Sequence, residues 1–370
     1  MELAGWGYVA AFGIALLLAL GLTPFALRIA IARGILDRPG DYKEQESPVP
    51  YLGGVAIVVS FALTIFLVTL FNPPVSGMDQ LIVMLGAATG LSLVGLADDL
   101  RGLSPLIRIG AHVAAAGTIW WSGIGVALFQ EPFLNVVLTM VWMVGVTNAF
   151  NLLDNMDGLS AGVAAIAAGF FFLIAAINGQ FLVAGLSIAL AGCAIGFLRH
   201  NIHPARIYMG DAGSTFLGFL LAVIGIKLRF EAPPQITFMV PILVLGVAIM
   251  DTTLVVLTRL SHGRNPIAGG RDHISHRLVF VGIPVRSAVA LVYAAGIALG
   301  WLAIVMSRLD QATGFILMGF VLAVGAFAGI MLGLVPVHEE SRRRRMMIME
   351  IAPHEEQSLA SEEEVVADAL

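Results

Sequence analysis

The chain has 370 residues, of which 58% are hydrophobic and 12% charged. A soluble domain is nearer half apolar and a quarter charged, so this composition excludes an ordinary soluble protein and points to one that crosses a membrane many times. The net charge of −5 comes from residues 338–370, which hold four arginines and nine acids; the remainder is balanced and offers no nucleic-acid surface.

Eleven apolar stretches approach the ~20 residues that a spanning helix needs. They lie at roughly 4–30, 52–71, 81–97, 107–126, 133–150, 158–177, 181–198, 212–228, 236–258, 286–307 and 312–336. The runs are continuous rather than alternating, which argues against a β-barrel and for an all-α polytopic membrane protein. The stretch at 4–30 has no basic start and exceeds a signal peptide's apolar core, so a retained helix is expected. Residues 1–337 read as one polytopic domain, and 338–370 as a disordered, charged tail whose run Arg342 to Arg345 suits anionic headgroups. Cys193, the one cysteine, forms no intrachain disulfide and reads as a small core residue.

Orientation follows from the basic residues. The odd-numbered connections, the helix ends beside them and the tail carry 17 of the 20 arginines and lysines; Lys227, Arg229 and Arg308 are the exceptions. The positive-inside rule then puts the odd connections and the C-terminus in the cytoplasm and the N-terminus outside. Trp6, Tyr8, Trp120 and Trp121 fall near the opposite interface, where aromatic belts sit.

Four polar clusters interrupt the apolar chain, all in odd connections. Asp98-Asp99 closes the stretch at 81–97; adjacent carboxylates on a turn bind a hard cation or share a proton, unless they are merely solvated acids at a helix end. Asn148, Asn151, Asp154 and Asp157 follow at intervals of three, so neighbours share a helix face and form a polar pocket wall. A helix-terminating loop that uses Asn and Asp as caps is the plainer alternative, and Asn155-Met156-Asp157-Gly158 also suggests a turn. Gly210-Asp211-Ala212-Gly213-Ser214 opens the stretch at 212–228, where a helix N-terminus attracts phosphate, Asp211 caps, or a carboxylate shares magnesium with substrate phosphates. The longest connection, about 259–286, holds Arg264, Arg271, His273, His276 and Arg277, cations better suited to a diphosphate than to zinc. Asp251 is an intramembrane acid that is functional or paired with a neighbouring helix. Carboxylates at helix ends on one side, without an internal repeat, disfavour a secondary transporter.

Together these motifs resemble the polyprenyl-phosphate N-acetylhexosamine-1-phosphate transferase family (glycosyltransferase family 4). That family includes enzymes that start O-antigen, teichoic-acid and arabinogalactan linkage synthesis, and the phospho-N-acetylmuramoyl-pentapeptide translocase. The resemblance runs from Asp37 to Leu278. It covers the entry motif (Asp37, Pro39, Lys43, Pro48, Pro50, Gly53, Gly54), the pair Asp98-Asp99, the run from Asn148 to Gly158, Gly210 to Ser214, Asp251-Thr252, and His273-Ile274-Ser275-His276. The departures are Tyr42 and Tyr51 where arginine is common, Gln45 where histidine is common, Asn155 in place of glycine, and Ser275 in place of histidine.

The resemblance implies eleven helices and a multi-pass plasma-membrane enzyme with its active site on the cytoplasmic face. It implies transfer of N-acetylhexosamine-1-phosphate, chiefly N-acetylglucosamine-1-phosphate, from a UDP-sugar to undecaprenyl phosphate, with release of UMP. The pentapeptide translocase is the alternative. Magnesium, or manganese in its place, is expected on Asp211 with Asn151. Asp98, Asp99, Asp154 and His273 are the expected catalytic residues; Lys43, Asn148, Asp157, Arg271 and His276 are the expected substrate contacts. The partners are the nucleotide sugar, the polyprenyl phosphate and membrane lipid, with a homodimer an allowed assembly.

Overall fold

The computed structural model describes residues 5–37, 48–74, 76–266 and 270–335. Lys43 and the tail from 338 lie outside the described residues. The chain runs α1 (Gly5–Arg33), β1 (Leu36–Asp37), β2 (Val49–Pro50), α2 (Gly53–Phe71), α3 (Met78–Arg101), α4 (Pro105–Trp121) and α5 (Pro132–Leu153). It continues with α6 (Leu159–Ile177), α7 (Phe181–Asn201), α8 (Gly210–Lys227), α9 (Pro234–Val244), α10 (Gly246–Ser261), α11 (Ile274–Phe280), α12 (Val285–Met306) and α13 (Gln311–Gly333).

Each expected apolar stretch falls on one of these helices or on the α9–α10 pair. Among the described residues, nine helices are long and apolar enough to cross a membrane, and the bent pair makes ten. Helix α4 has 17 residues, about 26 Å at 1.5 Å per residue, slightly less than the ~30 Å of a hydrocarbon core. The stretch at 236–258, expected as one helix, is two, with a 75° bend at Leu245. Pro241 inside α9 has no N–H for the carbonyl four residues back, and Gly246 starts α10, so the ladder is weakest where the bend falls. The short helix α11 and the β1–β2 hairpin were not foreseen.

Helix α8 is the axis of the bundle, with every residue from Ala212 to Ile226 buried. Helix α13 is its opposite: it buries Gly314 and Met318 and exposes Ile316, Phe320 and Phe327, as a lipid-facing helix must. Small residues let backbones approach. Gly192 and Gly196 of α7 lie against Ala15 and Ala19 of α1, and a Cβ on either glycine would stand 2.7 Å from an α1 carbonyl oxygen. Hydroxyls inside the spans return to the carbonyl one turn back, as Thr23 does to Ala19 at 2.6 Å and Thr147 to Met143 at 2.7 Å.

Candidate active site

The site is built around the N-terminus of α8. No side chain of its own segment caps that helix. Asp99, at the end of α3, does so instead: its carboxylate accepts from the backbone N–H of Asp211 at 2.9 Å and of Ala212 at 3.1 Å. An acid at a helix N-terminus satisfies free amides and complements the helix dipole. The sequence permits this approach through glycine. Gly210 has φ +67°, and a Cβ there would stand 2.5 Å from Asp99 Oδ2; a Cβ on Gly95 would stand 2.5 Å from the Asp211 carbonyl oxygen. The chain after β2 is stitched to the same place. Gly53 N donates to Tyr208 O at 3.0 Å, Gly54 N to Met209 O at 2.9 Å, and the Tyr51 hydroxyl to the Asp99 carbonyl at 2.9 Å.

Four segments bring polar side chains to this helix end. Asp98 accepts from Leu103 N at 2.5 Å and from Arg108 Nη1 at 2.9 Å. The same Arg108 nitrogen lies 3.3 Å from Asp211 Oδ2, so one guanidinium joins two carboxylates. Asn151 Nδ2 donates to Asp211 Oδ1 at 2.8 Å and to Ser214 Oγ at 3.1 Å. Asp154 ends α5; burial, then the charges of Asp211, Asp99 and Asp157, push its carboxyl up to about 8. A crowd of acids that one arginine only partly neutralises is a place for added positive charge.

Among the described residues no group of three His, Cys, Asp or Glu side chains forms a metal cage. The donor chemistry does fit magnesium, which takes one or two carboxylates and completes its octahedron with water and substrate phosphates. Asp211 supplies the carboxylate. The Asn151 amide, turned by half a rotation about its terminal bond, would set an oxygen beside it.

The four residues spaced by three do not share one wall. Helix α5 stops at Leu153, so Asp157 lies beyond it in the turn before α6. Asn148 turns to α4, with Nδ2 3.0 Å from His112 Nδ1, and also donates to Val144 O. Asn151 and Asp154 face Asp211. Asp157 anchors the connection after α7, with Oδ2 2.8 Å from His203 Nδ1 and accepting from Ala205 N at 3.0 Å. Tyr208 also hydrogen-bonds Asp157, and burial together with the nearby acids raises its phenol above the ordinary value, so it stays a donor.

The connection after α10 forms a second polar body. Asp251 and His273 are buried, with His273 Nδ1 2.7 Å from Asp251 Oδ2, and Ile274 N donates to Asp251 Oδ1 at 2.7 Å. That pairing leaves Nε2 as the basic nitrogen of His273. His276 is half-buried with its ring 6.3 Å from that of His273, and Arg271 is half-buried beside Asp272. Arg277, expected among the cations facing a diphosphate, points inward. It is 1% exposed and donates to the carbonyls of Asp272, Leu332, Gly333 and Val335, holding the end of α13. Ser275 Oγ donates to Asn155 Oδ1 at 2.7 Å, tying this body to the turn that carries Asp154.

Arg108, His112, His203 and Tyr208 were not singled out from sequence. The available signal was Arg108 and His112, four apart on one face of an apolar helix.

Residues 81–229 match the family model described as glycosyl transferase family 4. The chain is 31% identical over 307 residues to the probable undecaprenyl-phosphate N-acetylglucosaminyl 1-phosphate transferase of Bacillus subtilis (strain 168), covering 80% of this chain and 84% of that protein. It is 29% identical to the decaprenyl-phosphate N-acetylglucosaminephosphotransferase of Mycolicibacterium smegmatis, covering 72% of this chain and 73% of that one. It is also 29% identical to the phospho-N-acetylmuramoyl-pentapeptide-transferase of Bacillus anthracis (strain A0248), covering 69% of this chain and 83% of that one.

Proposed function

This chain is a member of glycosyl transferase family 4, and we propose from the geometry of its site that it transfers N-acetylglucosamine-1-phosphate from UDP-N-acetylglucosamine to undecaprenyl phosphate. An oxygen of the acceptor phosphate attacks the phosphorus that bears the sugar. The bond from that phosphorus to the UMP oxygen breaks, and UMP leaves. The observation that carries this reading is the meeting of Asp98, Asp99, Asn151, Asp154 and Asp211, from three connections, at one helix N-terminus.

Two anions must approach each other, so neutralising charge is the main task. Asp211, with the Asn151 amide turned to present oxygen, would hold magnesium or manganese, which supplies charge that neutralises the donor's diphosphate. Asp98, partly exposed and paired with Arg108, orders the acceptor phosphate or takes its proton. Asp99 fixes the start of α8 and thereby the place of Asp211. Asp154 and Asp157 shape the nucleotide–sugar pocket with Asn148. His273, held by Asp251, joins Arg271, His276 and Lys43 as the cationic wall for the phosphates.

In this reading all eleven stretches span the plasma membrane, the N-terminus lies outside, and the carboxylates face the cytoplasm, where nucleotide sugars are found. The comparison with pentapeptide transferases supports a second donor, the muramoyl-pentapeptide nucleotide. A donor screen decides between them: purified protein, magnesium and undecaprenyl phosphate should release UMP from UDP-N-acetylglucosamine. Release only from the pentapeptide nucleotide would reverse the choice.

A further inference from the structure

Helices α3 and α8 run antiparallel, and their other ends enclose a cavity of about 610 Å³. Gln80 lines it at the start of α3, 19 residues before Asp99, or roughly 28 Å along the helix at 1.5 Å per residue. It is therefore no part of the carboxylate site. Ile65 and Val68 of α2 and Leu182 and Leu186 of α7 form its apolar face, while Thr69, Asn72, Ser76, Asp79 and Gln180 add polar lining. Lys227, the last residue of α8, stands on its polar side with Gln80.

A lysine at a helix C-terminus ordinarily serves the free carbonyls there. Here Arg229 has that task, donating to the carbonyls of Ile226 and Leu228 and, at 3.4 Å, to Gly125. Lys227 turns away: its Nζ donates to Gln80 Oε1 at 2.6 Å, and Gln80 is held in place by its own bond to Ser122 O at 3.1 Å. An ammonium has three donors, and among the described residues Lys227 uses one on protein. Its charged neighbours are Arg229 and Asp79. Asp79 is exposed in the first turn of α3, where the helix N-terminus already favours a carboxylate. Asp79 and Lys227 are the two charged residues lining the cavity, and Arg229 beside Lys227 leaves this end of the bundle with one positive charge in surplus.

An apolar face at the end of membrane-spanning helices, beside a polar rim that holds an ammonium with two donors to spare, complements a lipid with an anionic headgroup. We propose that this cavity binds an anionic phospholipid, its phosphate on Lys227 and the start of an acyl chain along Ile65, Val68, Leu182 and Leu186.

The test is native mass spectrometry of the full chain released from phosphatidylcholine nanodiscs and titrated with phosphatidylglycerol. Lipid binding is counted directly, so the result stands whatever reaction the protein catalyses. Wild type should retain one phosphatidylglycerol in preference to phosphatidylcholine. Lys227→Gln should weaken that retention at least tenfold, Lys227→Arg should keep it within a few-fold, and Leu182→Trp, which fills the apolar wall and leaves the charge, should abolish it. Glycerol 1-phosphate should not compete. Unchanged retention in Lys227→Gln, or in a folded Leu182→Trp, overturns the proposal; effective competition by glycerol 1-phosphate would replace the lipid with a soluble phosphate and overturn it too.

Discussion

Asp99 and Asp211 are 112 residues apart in sequence, yet the Asp99 carboxylate accepts a hydrogen bond from the Asp211 backbone amide at 2.9 Å. With the second bond, from Ala212 N, Asp99 caps a helix to which it does not belong. Its proximity to the reaction is therefore partly architectural: it sets the residue from which the Asp211 side chain projects. Asp99→Ala should lower stability by about 1–2 kcal/mol, the worth of a lost N-cap, and reduce turnover with it. Asp99→Asn keeps one acceptor and should recover most of the stability. Thermal melts in detergent distinguish the two; equal melts for wild type and Asp99→Ala would contradict the capping role.

Close backbone contact is the second requirement of this arrangement. A Cβ on Gly54 would stand 2.2 Å from Gly213 N, whereas Gly86 has nothing within 4 Å. Gly54→Ala should cost about 1–3 kcal/mol by overpacking and should push α2 off the site, while Gly86→Ala should be neutral or slightly stabilising. Paired melting curves check this, and a melt of Gly54→Ala like that of Gly86→Ala would show that α2 yields easily.

Much of this was legible in the sequence, because hydropathy and charge placement respond directly to a membrane. The stretches at 81–97 and 212–228 became α3 and α8, and Asp99, which follows one, accepts from the backbone of Asp211, which opens the other. The bend at Leu245 was signalled by Pro241 and Gly246 but hidden by unbroken hydropathy. The shared face expected from the spacing of three from Asn148 to Asp157 holds only as far as α5 runs, to Leu153; the chain then turns, as Asn155-Met156-Asp157-Gly158 suggested, and Asp157 goes to His203. Arg108 was invisible as a site residue because a single arginine near a helix start reads as an orientation signal. The roles assigned to Lys43 rest on sequence alone.

Ser275 and Asn155, both departures from the family pattern, meet at 2.7 Å and join the His273 segment to the Asp154 turn. Ser275→Ala and Asn155→Ala should each lose about 1 kcal/mol, the net worth of one hydrogen bond. The double variant should lose little more than either alone. A double-mutant cycle on stability measures the coupling, and strictly additive losses would mean the two act independently.

Asp154 gives a pH signature. Its folded-state value of about 8 lies well above the ordinary value of 3.8. A raised carboxyl favours the folded state when protonated, so its contribution is full below about pH 4 and is lost as pH rises through 8. In chelator-treated protein, the melting temperature should fall between pH 6 and 9, and Asp154→Asn should flatten that fall. An identical slope in the variant would remove Asp154 from the crowd of acids.

The most direct test is UMP release from UDP-N-acetylglucosamine and undecaprenyl phosphate by purified wild type and Asp211→Asn, each with magnesium and with chelator. Wild type should turn over only with magnesium, and Asp211→Asn, folded by its unchanged melt, should be slower by at least about a thousandfold, roughly 4 kcal/mol of barrier. Near-normal, magnesium-dependent turnover in the folded variant would contradict the account.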